Sequence, residues 1–261
     1  SAVFADNLSA YSGDPILTAV EFQREIVNNF IKYVRAKNEG RLIIHSHDWM
    51  AGGAITAYAK ETDLPVLHTV HNVFTADLPV DLLHGISMDR IAKHMYFKEV
   101  GGRTCIDCQA TAIKNATIIN FVGERFLQEV VEDYFMDRPI IPDSVRSEVK
   151  AKCLYDSAWS IINAPSCTMY PERCDYLVQK YGPDDNFMEA KKENLIEFQK
   201  RTGLTINPDA ILFFWPSRLD PFQKGVELLE DIAQQFVNQY QDAQIAMLPT
   251  ESAMNAPIRR F

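Results

Sequence analysis

The run Ile211-Leu-Phe-Phe-Trp215 and the turn behind it, Pro216-Ser-Arg218-Leu-Asp-Pro-Phe-Gln-Lys224-Gly225, decide the fold. Five consecutive apolar residues read as a strand buried in a parallel sheet, and Val226 to Phe236 repeats its apolar residues at helical spacing. Open parallel sheets gather their ligands at the carboxyl ends of strands. Arg218 and Lys224, set in such a turn beside the free N–H groups of a helix start, would stabilise the negative charge of a departing nucleotide diphosphate. The same two cations also read as ordinary exposed loop charges.

Outward from this turn the pattern is regular. Residues 15 to 37 read as a long amphipathic helix with Pro15 in its first turn. A strand (Leu42 to His45), a helix (about Met50 to Lys60) and a strand (Val66 to Val70) follow, then loop and short helix to Ala116 and a strand from Thr117 to Val122. Helices are expected over Glu124 to Tyr134 and Asp143 to Leu154, and a strand over Trp159 to Ile162. Alternating strands and helices predict an α/β fold whose parallel sheet is covered on both faces.

Asn163 to Asn186, rich in proline, aspartate and cysteine, reads as a hinge. A helix over 187–202, ended by Gly203, opens a second strand, helix, strand unit that runs to Leu248. The expected organisation is therefore a domain over 1–162, a linker over 163–186 and a second domain over 187–261. One strand, helix, strand unit cannot bury both sheet faces, so the second domain is expected to be truncated.

Composition narrows the function. The chain has 261 residues and a formal charge of −9, which disfavours nucleic acid and other polyanions. Its apolar runs are strand-sized, which predicts no membrane segment, and the first residues show no signal peptide, so the simplest placement is cytoplasmic. Cys105-Ile-Asp-Cys108 has the spacing of a zinc knuckle or redox pair, but no second pair follows at ligand spacing, and neither metal nor cofactor is expected. There is no nucleophile elbow, dinucleotide fingerprint or Walker loop, and Gly101-Gly102 is too short for a phosphate loop.

Three strand ends carry candidate chemistry. His45-Ser-His47-Asp48-Trp49 follows an apolar run; Asp48 suits sugar or ribose hydroxyls, or caps the helix behind it. His71-Asn72 closes the strand Val66 to Val70 and pairs an imidazole with an amide, a combination suited to carbohydrate, although a histidine at a strand end also serves structure. Asn163 ends Ile161-Ile162, where it would meet a ligand lying between modules or satisfy turn backbone.

Taken in order, these pieces resemble the starch and bacterial glycogen synthases, retaining glycosyltransferases of the two-domain B type with Rossmann-like parallel sheets. His45-Ser-His47-Asp48-Trp49-Met-Ala51-Gly52 is similar to the family's HxHDWHAG signature, with Met50 in place of histidine. Thr69-Val-His71-Asn72 is similar to its TxHN motif. Ile161-Ile-Asn163-Ala164 resembles its NG(I/V)D hinge, with Ala164 and Ser166 replacing glycine and aspartate. Lys192-Glu-Asn194 through Gly203-Leu204 resembles the helix opening the second domain. Ser217-Arg218-Leu219 through Gln223-Lys224-Gly225 resembles the SRLxxQKG loop, one residue longer than the bacterial pattern.

The family's KxGGLGD donor loop and its C-terminal loop with the catalytic-site glutamate have no counterpart in these residues, so both domains are expected to be incomplete and the chain alone inactive. The resemblance implies transfer of glucose from ADP-glucose or UDP-glucose to the nonreducing 4-hydroxyl of an α-1,4-glucan, with retention and no metal. It implies that Arg218 and Lys224 stabilise the leaving diphosphate and that His71 hydrogen-bonds the transferred glucose. Asp48, Trp49, Asn72 and Asn163 would position donor or acceptor. The alternatives are another nucleotide-sugar-dependent glycosyltransferase and a non-catalytic glucan- or nucleotide-binding fragment.

Overall fold

The computed structural model describes residues 14–132, 134, 140–217 and 224–247. The chain divides into two compact units, Ser1–Ala164 and Pro165–Phe261.

The first unit opens with α1 (Pro15–Glu25), which runs through a π-helical turn (Ile26–Phe30) into α2 (Ile31–Lys37). Asp14 starts it, its carboxylate accepting from the N–H groups of Ile16 and Leu17 at 2.8 and 3.2 Å. Pro15, at the first helical position, has no N–H in need of a partner. Next come β1 (Ile44–His47), a 3₁₀ turn (Trp49–Ala51), α3 (Ala54–Glu61) and β2 (Val66–Val70). Then β3 (Asp77–Pro79), β4 (Phe97–Val100) and β5 (Arg103–Asp107) form a small antiparallel sheet in the order β3-β5-β4. The unit continues with α4 (Cys108–Asn115), β6 (Ile118–Phe121), α5 (Glu124–Glu132), α6 (Asp143–Leu154) and β7 (Ala158–Ser160).

The main sheet is parallel, in the order β1-β2-β6-β7. Its strand order advances in one direction, and right-handed crossovers that advance in one direction put their helices on one face. Val66, Val70, Ile119 and Phe121 on that face pack with Ala59 of α3, Ile113 of α4, Val130 of α5 and Val145 and Val149 of α6. The register sets His45, His47, Leu67, Thr69, Asn120 and Trp159 on the opposite face, where both histidines are exposed and Trp159 is 51% exposed. Thr69 and Asn120 on this face are buried all the same; among the described residues the helices packed on the sheet lie on the other face, and a second helical layer needs a reversal of strand order, which these four strands lack. Val20, Val27, Ile55, Leu78, Leu83 and Ile106 form a second apolar cluster that ties α1 and the small sheet to α3.

Gly101 and Gly102 shape the backbone. Val100 pairs with Arg103, and the two glycines between them, at φ 59° and 76°, make the tight β4–β5 hairpin turn. Cys105 and Cys108 lie on β5 and at the start of α4, both buried and neither in a disulfide. Burial pushes both thiols up, Cys108 to about 12. A thiolate is what binds metal or attacks, and burial disfavours that form at both positions.

The node of the unit is Asp107, whose side chain is fully buried. It caps α4 by accepting from Ala110 N–H (3.0 Å). It also accepts from Thr75 Oγ1, from Ser144 Oγ of α6 (2.6 Å) and from Lys98 Nζ of β4 (3.0 Å), and Lys98 pairs with Asp77 at 2.5 Å as well. Four segments distant in sequence thus meet on one carboxylate.

In the second unit α7 (Phe187–Thr202) precedes β8 (Ile211–Trp215), α8 (Val226–Gln239) and β9 (Ala243–Met247). The two strands pair in parallel, Phe213 opposite Ile245. Phe198 of α7 meets Phe214 edge-on at 5.6 Å, and Phe236 of α8 meets Phe213 at 5.2 Å, so a helix lies on each face. The expectation that Ile211 to Trp215 is buried is not met: Ile211 is 62% and Phe214 50% exposed. A sheet of two strands, the number among the described residues, presents too little surface for two helices to close over it.

Candidate active site

β1 and β2 are neighbours in one parallel sheet, with His47 opposite Thr69, so Asp48 and His71-Asn72 emerge together at their carboxyl ends. Asp48 holds the junction. Its φ of 49° is rare for a residue with a side chain, and three sets of hydrogen bonds offset the strain. Its N–H donates to Thr69 O at 3.1 Å. Its Oδ1 accepts from the N–H groups of His71 (2.8 Å) and Asn72 (3.4 Å), and its Oδ2 from Asn72 Nδ2 (3.4 Å). The alternative of a helix cap is not realised, since the Asp48 side chain makes no hydrogen bond to the turn Trp49–Ala51. The carboxylate is drawn instead to the exposed N–H groups at the end of β2.

His47 completes the arrangement. Its Nδ1 lies 3.0 Å from His71 Nε2, with the rings stacked at a centroid separation of 5.3 Å. His45, two residues earlier on the same face, stacks tilted on His47 at 4.2 Å and contacts Thr69 Oγ1 through Nε2 at 2.9 Å. Partial burial, then the neighbouring His45 and His71, push the His47 pKa below its ordinary value, which favours the neutral ring. A neutral ring can share one proton with His71. This leaves Nδ1 as the nitrogen of the exposed His71 without a protein partner among the described residues. Asn72 turns the chain, its Oδ1 accepting from Phe74 N–H at 2.9 Å.

The backbone behind this edge is crowded. A Cβ on Gly52 would collide with the Cys108 carbonyl oxygen, which accepts from Gly53 N–H at 3.2 Å. Gln23 of α1 adds a bond from Ala54 N–H to its Oε1 at 2.7 Å, fixing the start of α3.

The structure brings together three of the residues singled out in the sequence: Asp48, His71 and Asn72. Trp49 lies next to them but is partly buried against the apolar cluster of α1 and α3. Asn163 is exposed and makes no side-chain hydrogen bond among the described residues. In the second unit, Lys224 is exposed immediately before Gly225 and the first turn of α8. Arg218 lies outside the described residues. The reading of the sequence missed the partnership of His47 with His71 and the carboxylate of Asp107. Asp107 followed by Ala110 and an apolar helical stretch was the available signal, obscured by the cysteines on either side of it.

Comparisons with known proteins bear on the family and the fold. The family described as starch synthase catalytic domain matches residues 3–138. Glycogen synthase of Glaesserella parasuis is 26% identical over 201 residues, 72% of this chain and 38% of that protein. Glycogen synthase of Exiguobacterium sibiricum is 26% identical over 204 residues, 73% of this chain and 39% of that protein. The chain thus spans well under half the length of these relatives. In fold it is similar to the catalytic domain of starch synthase IV from Arabidopsis thaliana bound to ADP and acarbose, with a TM-score of 0.71 and 19% identity over 92% of this chain and 48% of that one. The family match covers just over half of the sequence and includes both clamped strand ends, and the fold agrees with it independently: the chain belongs to the starch synthase catalytic-domain family.

Proposed function

We propose that the chain is the central part of a glycogen or starch synthase, and that the ends of β1 and β2 hold the glucose during its transfer from ADP-glucose or UDP-glucose to the nonreducing 4-hydroxyl of an α-1,4-glucan, with retention. The observation that carries this reading is the clamp on His71-Asn72: Asp48 takes up the backbone N–H groups and His47 the ring, so that His71 is presented in one orientation. Pre-orientation of this kind is what a transfer site needs, because a donor already in place bears no reorganisation cost in the transition state.

In this reading His71 Nδ1 serves a glucose hydroxyl, Asn72 and Asp48 set its position, and Asn163 and Trp49 contribute from the flanking segments. Arg218 and Lys224 stabilise the departing diphosphate. The first unit is the acceptor-side domain, residues 163–186 are the hinge, and the second unit begins the nucleotide-sugar domain. A solved relative whose structure holds ADP and acarbose supports a nucleotide sugar and a glucan as the two ligands. Calorimetric titration of the chain with ADP and, in parallel, UDP tests the donor side. Weak binding with a Kd on the order of 1 mM is expected for the matching diphosphate, and absence of heat with both at several times that concentration would count against a diphosphate site.

A further inference from the structure

Beneath the His71-Asn72 turn lies a set of buried polar groups that the clamp does not use. Ser46, His68 and Gln109 are 2%, 0% and 0% exposed. Ser46 Oγ lies 2.8 Å from His68 Nδ1. Gln109, in the first turn of α4, places Nε2 3.4 Å from the carbonyl oxygen of Asn72, and its own N–H donates to Thr75 Oγ1 at 3.1 Å. His68 Nε2 and Gln109 Oε1 are both buried, with no hydrogen-bond partner among the described residues. Buried polar atoms of this kind are costly unless paired.

The pairing follows from donor and acceptor roles. The Asn72 carbonyl only accepts, so it fixes the Gln109 amide with Nε2 toward Asn72 and leaves Oε1 as an acceptor. An acceptor needs a donor, and His68, on whose ring the Gln109 side chain acts, supplies one if its proton is on Nε2. Nδ1 is then bare and accepts from the Ser46 hydroxyl. Burial first, and the nearby His47, His45 and His71, lower the His68 pKa to about 3, which keeps the ring neutral as this requires; the Gln109 side chain pulls the other way, as an acceptor facing the ring does.

We propose that Gln109 is a positioning residue that accepts from His68 Nε2–H and donates to the Asn72 carbonyl, closing a one-way chain from Ser46 through His68 to the turn that presents His71. Asp48 then holds the N–H side of this turn and Gln109 its carbonyl side. The proposal rests on the assignment of His71 to the sugar site, but its test needs no sugar.

The test is nitrogen-15 imidazole spectroscopy on the histidine-labelled chain. The wild type is expected to show His68 as a single neutral tautomer with its proton on Nε2 from pH 5 to pH 8. Gln109→Met, which keeps the volume and removes both polar atoms, is expected to abolish that single tautomer and to shift the His71 ring resonances. Gln109→Glu places a carboxylate against Nε2 and is expected to raise the pH at which His68 protonates by about one unit or more. A His68 proton on Nδ1 in the wild type would overturn the proposal. So would unchanged His68 and His71 spectra in Gln109→Met. If Gln109→Met does not fold, the wild-type tautomer and Gln109→Glu decide. Failure here leaves His71 free to serve sugar, whereas failure of His71 in turnover leaves these spectra as they are.

Discussion

Lys224→Ala, introduced into the full-length synthase proposed above, is expected to lower kcat by a factor on the order of 10² to 10³ without unfolding the protein. Lys224 is exposed at the start of α8, so its removal leaves no cavity and no buried partner. A cation aimed at a departing diphosphate acts where charge develops, and its loss falls on kcat more than on KM. In the proposed reading the side-chain cations and the helix start supply this electrostatic stabilisation. Arg218→Ala is expected to behave the same way. Steady-state kinetics check it, and turnover within about twofold of wild type in both variants would remove the diphosphate role.

Asp107→Ala is expected to destabilise the first unit by about 3 to 5 kcal/mol, the usual cost of breaking a buried charged network from one side. Lys98 loses one of its two carboxylates, Ser144 and Thr75 lose their acceptor, and α4 loses its cap. Burial alone would push the Asp107 pKa up; the bonds from Ser144, Thr75, Ala110 and Lys98 outweigh it, and the net shift is downward. A carboxylate with a depressed folded-state pKa contributes stability above its unfolded value, near 3.9, and loses it as pH falls through the folded value. Urea midpoints should therefore drop below about pH 4 in the wild type, and Asp107→Asn should flatten that part of the profile. A midpoint unchanged by Asp107→Ala at pH 7 would show that the network contributes nothing to the fold.

Legibility in the sequence followed how local the determining interaction is. β2, α6, α7 and β8 lie where periodicity and terminal residues place them. β1 is shifted: the apolar residues Leu42 and Ile43 suggested an earlier strand, but pairing with β2 begins at Ile44 and carries the polar His45-Ser46-His47 into the sheet. Hydropathy does not see that pairing, and it is what sets His45 and His47 on one face. The small antiparallel sheet was hidden for a related reason, since Lys98-Glu99 and Arg103-Thr104 put charge and hydroxyl groups in short strands around a Gly-Gly turn. Motif order singled out Asp48 and His71-Asn72 as candidates, and the structure brings the three together. Motif order did not show that the Asp48 carboxylate clamps the neighbouring strand, because that bond joins residues 23 apart in sequence and depends on the unusual φ at Asp48.

If a pre-oriented His71 serves the transferred sugar, kcat/KM for glucosyl transfer by His71→Ala in the full-length synthase is the deciding measurement. The replacement removes an exposed side chain and leaves the backbone N–H that Asp48 accepts, so the melting temperature should stay close to wild type. The expected result is a kcat/KM lower by a factor on the order of 10 to 100, the loss of one well-placed hydrogen bond in a desolvated site. Wild-type kcat/KM in a folded His71→Ala enzyme would contradict it.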